Sequence, residues 1–510
     1  MTDSQQQAPT QGEAELIANR RAKLKRWREE LGLQPYGHRV DGLVSLADAR
    51  ALFDQQASDA MEAEETPAED PRPRAHVAGR VMQHRAMGKL TFMSLRDSSG
   101  DLQVSLSKAD LPVEQFKLAS KVDYGDIVVA HGPVGKTKRG EVCIWADSFE
   151  VHCKSLAPPP EKFHGLADPE ARARRRYVDM YTNADTMETF LFRSKLVAST
   201  RTFMQDRGFL EVETPMMHAV AGGAAARPFM THHNTLDLDL YMRIAPELYL
   251  KRLLVGGMNK VFEVNRNFRN EGISRRHNPE FTMMEVYEAF GDRASMLELT
   301  ESLFRHLAET IIGNTIIEWG EYTIDYSKPF TQVTYADLFE RAHAMDMRDE
   351  AAVRTLAAKR GLGDASTRDH WLLVEALFEH AEEHIDPNTP TFVVDFPSAT
   401  SPLARPREDD PTLAWRSELF IAGMELCNAY TELNDPDVQR NYFTSQMDGI
   451  DEEAAAFRSM DEDFLDALMV GMPPAGGLGI GIDRMVMLLT GRTSIRDVIL
   501  FPLLRPEGGE

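Results

Sequence analysis

The sequence predicts an α+β protein in three parts: a helical N-terminal extension, a small all-β barrel, and a long C-terminal domain of helices packed on an antiparallel sheet. Three observations lead there. Near His76 the hydrophobic pattern switches from helical spacing to alternation, and turn-punctuated strands continue for about 80 residues. Beyond Phe163, strands follow one another in pairs without the intervening helices that a doubly wound parallel sheet needs. Ahead of the barrel, residues 59–70 interleave Glu62, Glu64, Glu65, Glu69 and Asp70 with prolines, and that acidic stretch reads as a linker.

Composition bounds the function. A chain of 510 residues with 43% hydrophobic and 27% charged side chains has material for two to four folded domains, so wholesale disorder is excluded. No apolar run approaches the roughly 20 residues of a membrane-spanning helix. The polar N-terminus lacks signal-peptide order, and three cysteines (Cys143, Cys153, Cys427) without a C-x-x-C pair fit a reducing compartment. A soluble cytoplasmic protein with no membrane partner is expected. The net charge of −23 argues against nucleic-acid binding by the chain as a whole, but basic islands survive within it. From Arg20 to Arg28, six of nine residues are basic, and Pro71–Leu156 holds 13 basic against 9 acidic side chains. Those islands leave room for a polyanionic partner.

Taken in order, residues 13–31 place Leu16, Ala18, Leu24, Trp27 and Leu31 at loosely helical spacing, and a second helix is expected over 45–58. The run HVAGRVMQHRAMGKLTFMSLRDSSGDLQVSL gives strands broken at MGK and SSGD, with more strands over Asp126–Pro133 and Glu141–Val151 around the turn GKTKRG. Five short strands in this length suggest an OB-type barrel ending at Pro158-Pro159-Pro160, and its local positive charge suits an oligonucleotide; an anonymous barrel is the alternative. In the long domain, helices are expected over roughly 185–208, 246–256, 292–312, 335–345, 367–384 and 461–470. The domain limits that follow are 1–73, 74–156 and 163–510.

Three segments concentrate chemistry. In VFEVNRNFRNEGISRRHNPEFTMMEVYEAF (261–290), alternation puts Phe281, Met283, Glu285 and Tyr287 on one strand face, with Arg269 projecting from the neighbouring strand toward a common surface. A planar guanidinium there suits phosphate. In WRSELFIAGMELCNAYTELNDP (415–436), Glu418 and Glu425 approach across a tight hairpin at Ala422-Gly423. Two carboxylates without a histidine favour Mg²⁺ beside phosphate oxygens. Asn428, Tyr430 and Glu432 share a face of that strand. In GGLGIGIDRMVMLLTG, the glycines match neither phosphate-loop spacing, and alternate glycines suit a strand closely approached by a ligand or another backbone, with Arg484 at its junction to an apolar helix.

Together these segments resemble the class II aminoacyl-tRNA synthetases, and among them the lysyl-tRNA synthetase family. The likeness runs from about His76 to Pro506 and more weakly over the N-terminal helix. FLEVETPMM (209–217) is similar to motif 1, FRNEGISRRHNPEFTMMEVY to motif 2, and GLGIGIDRMVML to motif 3; GGAAARPFMTHHNTLDLDLYMRIAPELYLKR (222–252) and NAYTELNDP are similar to the lysine-specific segments. The resemblance implies activation of L-lysine with ATP and transfer to tRNA(Lys), by a homodimer with Pro215 at its interface. It implies Arg269 and Arg484 as catalytic residues, Arg269 at the α-phosphate. Phe281 and Arg484 would sandwich the adenine, Glu271 would accept from its amino group, and His277 would hold the outer phosphates. Glu418 and Glu425 would bind Mg²⁺. Lysine would be held by Glu247, Glu285, Tyr287, Asn428, Tyr430 and Glu432, under a loop containing Gly223. In the barrel, Arg80, Phe92, Gln103 and Glu141 would read the anticodon, Phe92 by stacking; ordinary barrel packing is the alternative for Phe92.

Departures from the pattern are the acidic stretch 59–70 and the doubled glycine in AGGLG. His232 and His233 are structural in the resemblance rather than metal ligands. The alternatives are a class II enzyme for aspartate or asparagine, which would need a cation for the substrate side chain; a protein-modifying lysine ligase, which the resemblance gives no barrel; and a non-catalytic RNA-binding paralogue, which should have lost Arg269, Glu418, Glu425 or Arg484.

Overall fold

The computed structural model describes residues 11–61, 67, 69–160, 166–224, 226–362, 365–447 and 460–506. Half of the expected linker, at 62–66 and 68, and Ala225 of the Gly223 loop lie outside the described residues. The chain forms two compact units, Met1–Met187 with Leu504–Glu510, and Glu188–Leu503.

In the first unit, the helix Gln11–Leu31 buries Leu24 and Trp27 and turns its basic face to the barrel rim. Arg20 donates to the carbonyls of Tyr124 and Ser155, and Lys23 meets Asp123 at 2.5 Å. The single helix expected over 45–58 is two, Leu46–Ala51 and Gln55–Ala60, because Asp54 caps the second through the Ala57 amide and restarts the chain direction. Strands Arg74–Met87, Leu90–Asp97, Gly100–Ser107, Val142–Ala146 and Ile127–Lys136 pair in that order, and the first also pairs with the last. That closes a five-stranded barrel and removes its edges. Ser148–Cys153 adds to Ile127–Lys136 from outside the ring. The strand expected over 141–151 is thus two strands, interrupted at Asp147, whose carboxylate ties Arg74 and lies 3.3 Å from His131. The helix Val113–Ala119 was not anticipated. Val77, Val81, Met93, Leu95, Val104, Leu106 and Ile144 fill the core. Beneath Trp27, the fully buried Lys154 binds Asp126 at 2.7 Å and Asp123 at 2.6 Å. Removing one member of such a buried pair costs about 3–5 kcal/mol.

The second unit is built on an eight-stranded sheet ordered Thr331–Thr334, Thr391–Pro397, Leu413–Ile421, Met424–Thr431, Ala475–Gly481, Glu280–Ala289, Lys260–Phe268, Leu210–Glu211. Only the two terminal pairings are parallel; the other five are antiparallel. Helices Arg293–Leu307 and Ile482–Leu489 cover one face, joining Met284, Val286, Leu426 and Ile480 in the main core. The helix expected to 312 turns into a π segment at Ala308–Ile312 and stops at Gly313, whose φ of 75° suits glycine. A second core gathers helices Tyr335–His343, Glu350–Lys359 and His370–Phe378. Pro436–Met447 and Glu350–Lys359 were also not anticipated. The opposite face of the central sheet is left open for a cavity.

Candidate active site

The floor of the cavity is set by cross-strand register. Gly479 lies between Glu285 and Asn428, and Gly477 lies between Tyr287 and Tyr430. Side chains on the flanking strands rise on either side of a strand that has none, which leaves a trough. The resulting cavity has a volume of about 750 Å³ and is bordered by Arg269, Glu247, Glu285, Glu418 and Tyr430 among others. The glycine alternation noted in the sequence therefore belongs to this trough.

Arg269 follows the strand Lys260–Phe268, held by its amide to the Pro279 carbonyl. Its guanidinium carbon sits 5.2 Å from the centre of the Phe281 ring. Its Nε is buried without a hydrogen-bond partner, and no ion pair is found for it among the described residues. A half-buried guanidinium without an anion is poised for one. A smaller recess of about 120 Å³ opens between Phe281 and Arg484, with Glu271 and His277 at its border. Arg484 donates to the Glu425 carbonyl at 2.6 Å and to His277 Nε2 at 3.0 Å. Burial, then the Arg484 charge, depresses the His277 pKa, so the imidazole stays neutral with Nε2 accepting and Nδ1 donating to Ser274 Oγ. Flat aromatic and guanidinium walls fit a planar ring.

Glu418 and Glu425 stand on the two arms of the hairpin turning at Ala422 and Gly423, whose positive φ angles are those of a two-residue hairpin turn. Glu418 pairs with Arg416 at 2.5 Å, while Glu425 accepts from Asn428 at 2.5 Å. Burial and then the neighbouring Glu425 raise the Glu418 pKa, against the pull of Arg416. Two carboxylates that repel, Glu418 buried and Glu425 partly exposed, fit a cation shared with phosphate oxygens; no group of three or more metal-capable side chains occurs among the described residues.

At the far end, Glu247 opens the helix Glu247–Val255 and Glu432 follows the strand Met424–Thr431. Lys251 joins them, 2.7 Å from Glu247 Oε1 and 2.5 Å from Glu432 Oε2. The second contact lacks hydrogen-bond geometry, so neither Glu432 oxygen has a hydrogen-bond donor although the residue is 1% exposed. Tyr287 donates to Glu285 at 3.2 Å. Burial, then Glu247, pushes the Glu285 carboxyl up to about 8. Gly223, with φ of 89°, lies where a Cβ would come 3.2 Å from Ala245 Cβ and 3.4 Å from that of Glu247. The structure thus brings together all the residues singled out in this domain, with Glu432 set behind the cavity wall. Sequence reasoning missed Lys251 and Arg416. Both had a signal: Lys251 stands one helical turn after Glu247, and Arg416 two residues before Glu418 on the same strand face.

In the barrel, Phe92 and Gln103 are diagonal neighbours on the outer face, since Phe92 opposes Ser105 and Ser94 opposes Gln103. Phe92 is absent from the barrel core. Arg80 lies further along that face but donates to the Gly125 carbonyl at 2.8 Å and covers the Tyr181 ring. Glu141 is exposed beside the turn, 3.9 Å from Arg50. Phe92 and Gln103 are the better placed of the four.

Residues 168–505 match the family model for tRNA synthetases class II (D, K and N), and residues 75–157 match that of the OB-fold nucleic acid binding domain. The chain belongs to the class II tRNA synthetases and is an aminoacyl-tRNA synthetase of that class. It is similar to the lysine--tRNA ligases of Carboxydothermus hydrogenoformans (45% identical, covering 97% of this chain and 98% of that one), Erwinia tasmaniensis (47%, 99% and 99%) and Escherichia coli K12 (45%, 96% and 96%). The expected order, a barrel of OB type ahead of a class II antiparallel sheet, is borne out.

Proposed function

We propose that the chain is a lysine--tRNA ligase that condenses L-lysine with ATP and passes the lysyl group to the 3′ end of tRNA(Lys). The observation that carries this is the charge order of the cavity. One end offers Arg269 without an ion pair, and the other offers Glu247 and Glu285 with Glu432 behind them. A substrate with an anionic centre to be stabilised and two ammonium groups to be paired fits that order. A pocket for aspartate would need an uncommitted cation at the acidic end, and Lys251 is already committed between two carboxylates. The names of the similar ligases agree with this choice.

The adenine would lie between Phe281 and Arg484, with Glu271 accepting from its amino group and His277 contributing at the outer phosphates as a neutral ring. A lysine carboxylate oxygen attacks the α-phosphorus, and the bond to the bridging oxygen breaks with its electron pair leaving on pyrophosphate. Arg269 meets the charge that builds on the α-phosphate oxygens. Magnesium, held by Glu418 and Glu425, would neutralise phosphate charge when bound. Glu247, Glu285, Tyr287, Asn428, Tyr430 and Glu432 orient the amino acid, and the Gly223 loop covers it. The 3′-terminal ribose hydroxyl then attacks the lysyl carbonyl carbon and AMP departs, so orientation and electrostatics suffice without a covalent enzyme intermediate.

The proposed division keeps an N-terminal extension to residue 73, an anticodon-binding barrel over 74–156 and the catalytic domain over 163–510. Arg80, Phe92, Gln103 and Glu141 belong to the anticodon reading, and the outer-face position of Phe92 and Gln103 supports it. A homodimer is part of the proposal, supported by exposed Leu210, Met216, Met217 and Met230 around Pro215. So is a cytoplasmic location, for which the free thiols of Cys143, Cys153 and Cys427 speak. No helix among the described residues is long and apolar enough to cross a membrane. Charging of purified tRNA with radiolabelled amino acids tests the whole reading: lysine should enter tRNA(Lys), and incorporation of aspartate or asparagine instead would refute it.

A further inference from the structure

Lys251 has no task in that reading. Its ammonium is fully buried, one helical turn after Glu247, and it reaches Glu247 Oε1 at 2.7 Å, Glu432 Oε2 at 2.5 Å and the Leu403 carbonyl at 3.4 Å. Two of these contacts are hydrogen bonds, to Glu247 and the Leu403 carbonyl, and the third is the ion pair with Glu432. Glu432 Oε1 points the other way. It lies over Gly477, without a donor, in the row between Tyr287 and Tyr430. One carboxylate oxygen therefore faces Lys251 and the other faces the row of Tyr287 and Tyr430, which line the acidic end of the cavity.

The charges also count. Glu247, Glu285 and Glu432 are three acids in one buried region, and three unshielded carboxylates there would repel and hold protons. Lys251 cancels one, leaving two carboxyls that, once ionised, match the α- and ε-ammonium groups of a basic amino acid. We propose that Lys251 is a positioning residue for amino-acid selection, which holds Glu247 and Glu432 at a fixed spacing and matches the pocket's charge to a substrate with two ammonium groups. The inference rests on the lysine reading and deepens it. Burial pulls the Lys251 pKa down, but Glu247 and Glu432 outweigh that and keep it above its ordinary value, so the cation persists through the neutral range.

The test is ATP–pyrophosphate exchange by the full-length protein, with lysine and ATP varied separately, for wild type, Lys251→Met and Lys251→Arg. Lys251→Met should raise the KM for lysine by about 30-fold or more, the scale for truncating one partner of a buried charge pair. The KM for ATP should stay within about twofold, since the ATP recess shares no residue with the Lys251 contacts. The preference for lysine over ornithine, one methylene shorter, should also shrink, because Glu432 is no longer held at one distance. Lys251→Arg should restore much of the lysine KM. An unchanged lysine KM overturns the inference. So do equal losses for lysine and ATP with a lowered melting temperature, which would make Lys251 merely structural. If Lys251→Met is not recovered folded, Lys251→Gln is read by the same criteria, and failure of both to fold likewise overturns the positioning role. Wild-type exchange with some amino acid other than lysine defeats the lysine reading itself, a result separate from any of the variants.

Discussion

The space above Gly477 is taken by Glu432: a Cβ on that glycine would collide with the carboxylate Oε1 and come 2.9 Å from the Tyr287 ring. The acid can sit over the sheet only because this position lacks a side chain. Gly477→Ala should therefore displace Glu432 and raise the KM for lysine about tenfold or more, with overpacking costing about 1–3 kcal/mol of stability. Separate lysine and ATP titrations of the exchange reaction check this; a variant with an unchanged lysine KM would mean that Glu432 does not face the substrate.

Lysine binding should depend on pH through Glu285. Its carboxyl titrates at about 8 in the empty site because of burial and then Glu247, with Glu263 adding to the rise and Tyr287 and Arg269 opposing it. Below that value the acid is neutral and pairs poorly with an ammonium, so lysine binding should release a proton. The KM for lysine should fall by up to tenfold per unit as pH rises from about 6 to about 8 and then level off. In the empty protein the sign is opposite: the raised pKa favours the fold at low pH, and that contribution is lost between the ordinary 4.5 and about 8. Calorimetric lysine titrations in buffers of different ionisation enthalpy measure the proton directly, and zero proton release at pH 7 contradicts the assignment.

Arg269 and the Glu418–Glu425 pair should separate by kinetics. Arg269→Ala should lower the exchange rate on the order of 10²–10³-fold while changing the lysine KM little, as for loss of a group that meets developing charge. Glu418→Gln combined with Glu425→Gln should abolish the magnesium response. Near-normal exchange and an unaltered magnesium titration in both variants would remove the phosphate and metal roles together.

Phe92→Ala should reduce the charging efficiency for tRNA by roughly 5- to 150-fold, equivalent to about 1–3 kcal/mol of stacking, and leave exchange without tRNA unaltered. Because Phe92 lies outside the barrel core, its melting temperature should change little. A large loss of stability would return Phe92 to the packing role.

Much of this site was legible because its strands obey period two. Alternation alone placed Phe281, Met283, Glu285 and Tyr287 on one face, and the spacing of Asn428, Tyr430 and Glu432 did the same on the strand beyond the glycine-rich one. The offset of Glu418 from Glu425 was not legible: a bulge between Leu419 and Phe420 sets Glu418 opposite Asn428 and Glu425 opposite Phe420. A bulge leaves little trace in hydrophobic pattern. The Lys251–Glu432 contact was equally hidden, since it joins a helix to a strand end far along the chain, and the lysine reads locally as one half of an i,i+4 surface pair. The missed helices had weaker excuses. Pro436 at the first position of Pro436–Met447 and the Asp349 cap of Glu350–Lys359 are both start signals. In the barrel, closure is a matter of pairing between Arg74–Met87 and Ile127–Lys136, which strand count suggests but only coordinates establish.

The central claim is that three carboxylates, one internal cation and an unpaired guanidinium select an amino acid with two ammonium groups. Its most direct measurement is ATP–pyrophosphate exchange by the wild-type protein with each of the twenty amino acids in turn. Lysine alone should support rapid exchange, with aspartate and asparagine near background, because a site built to pair a buried side-chain ammonium rejects a substrate that lacks it by about 10⁴ or more. Exchange driven by aspartate or asparagine and not by lysine would contradict the account.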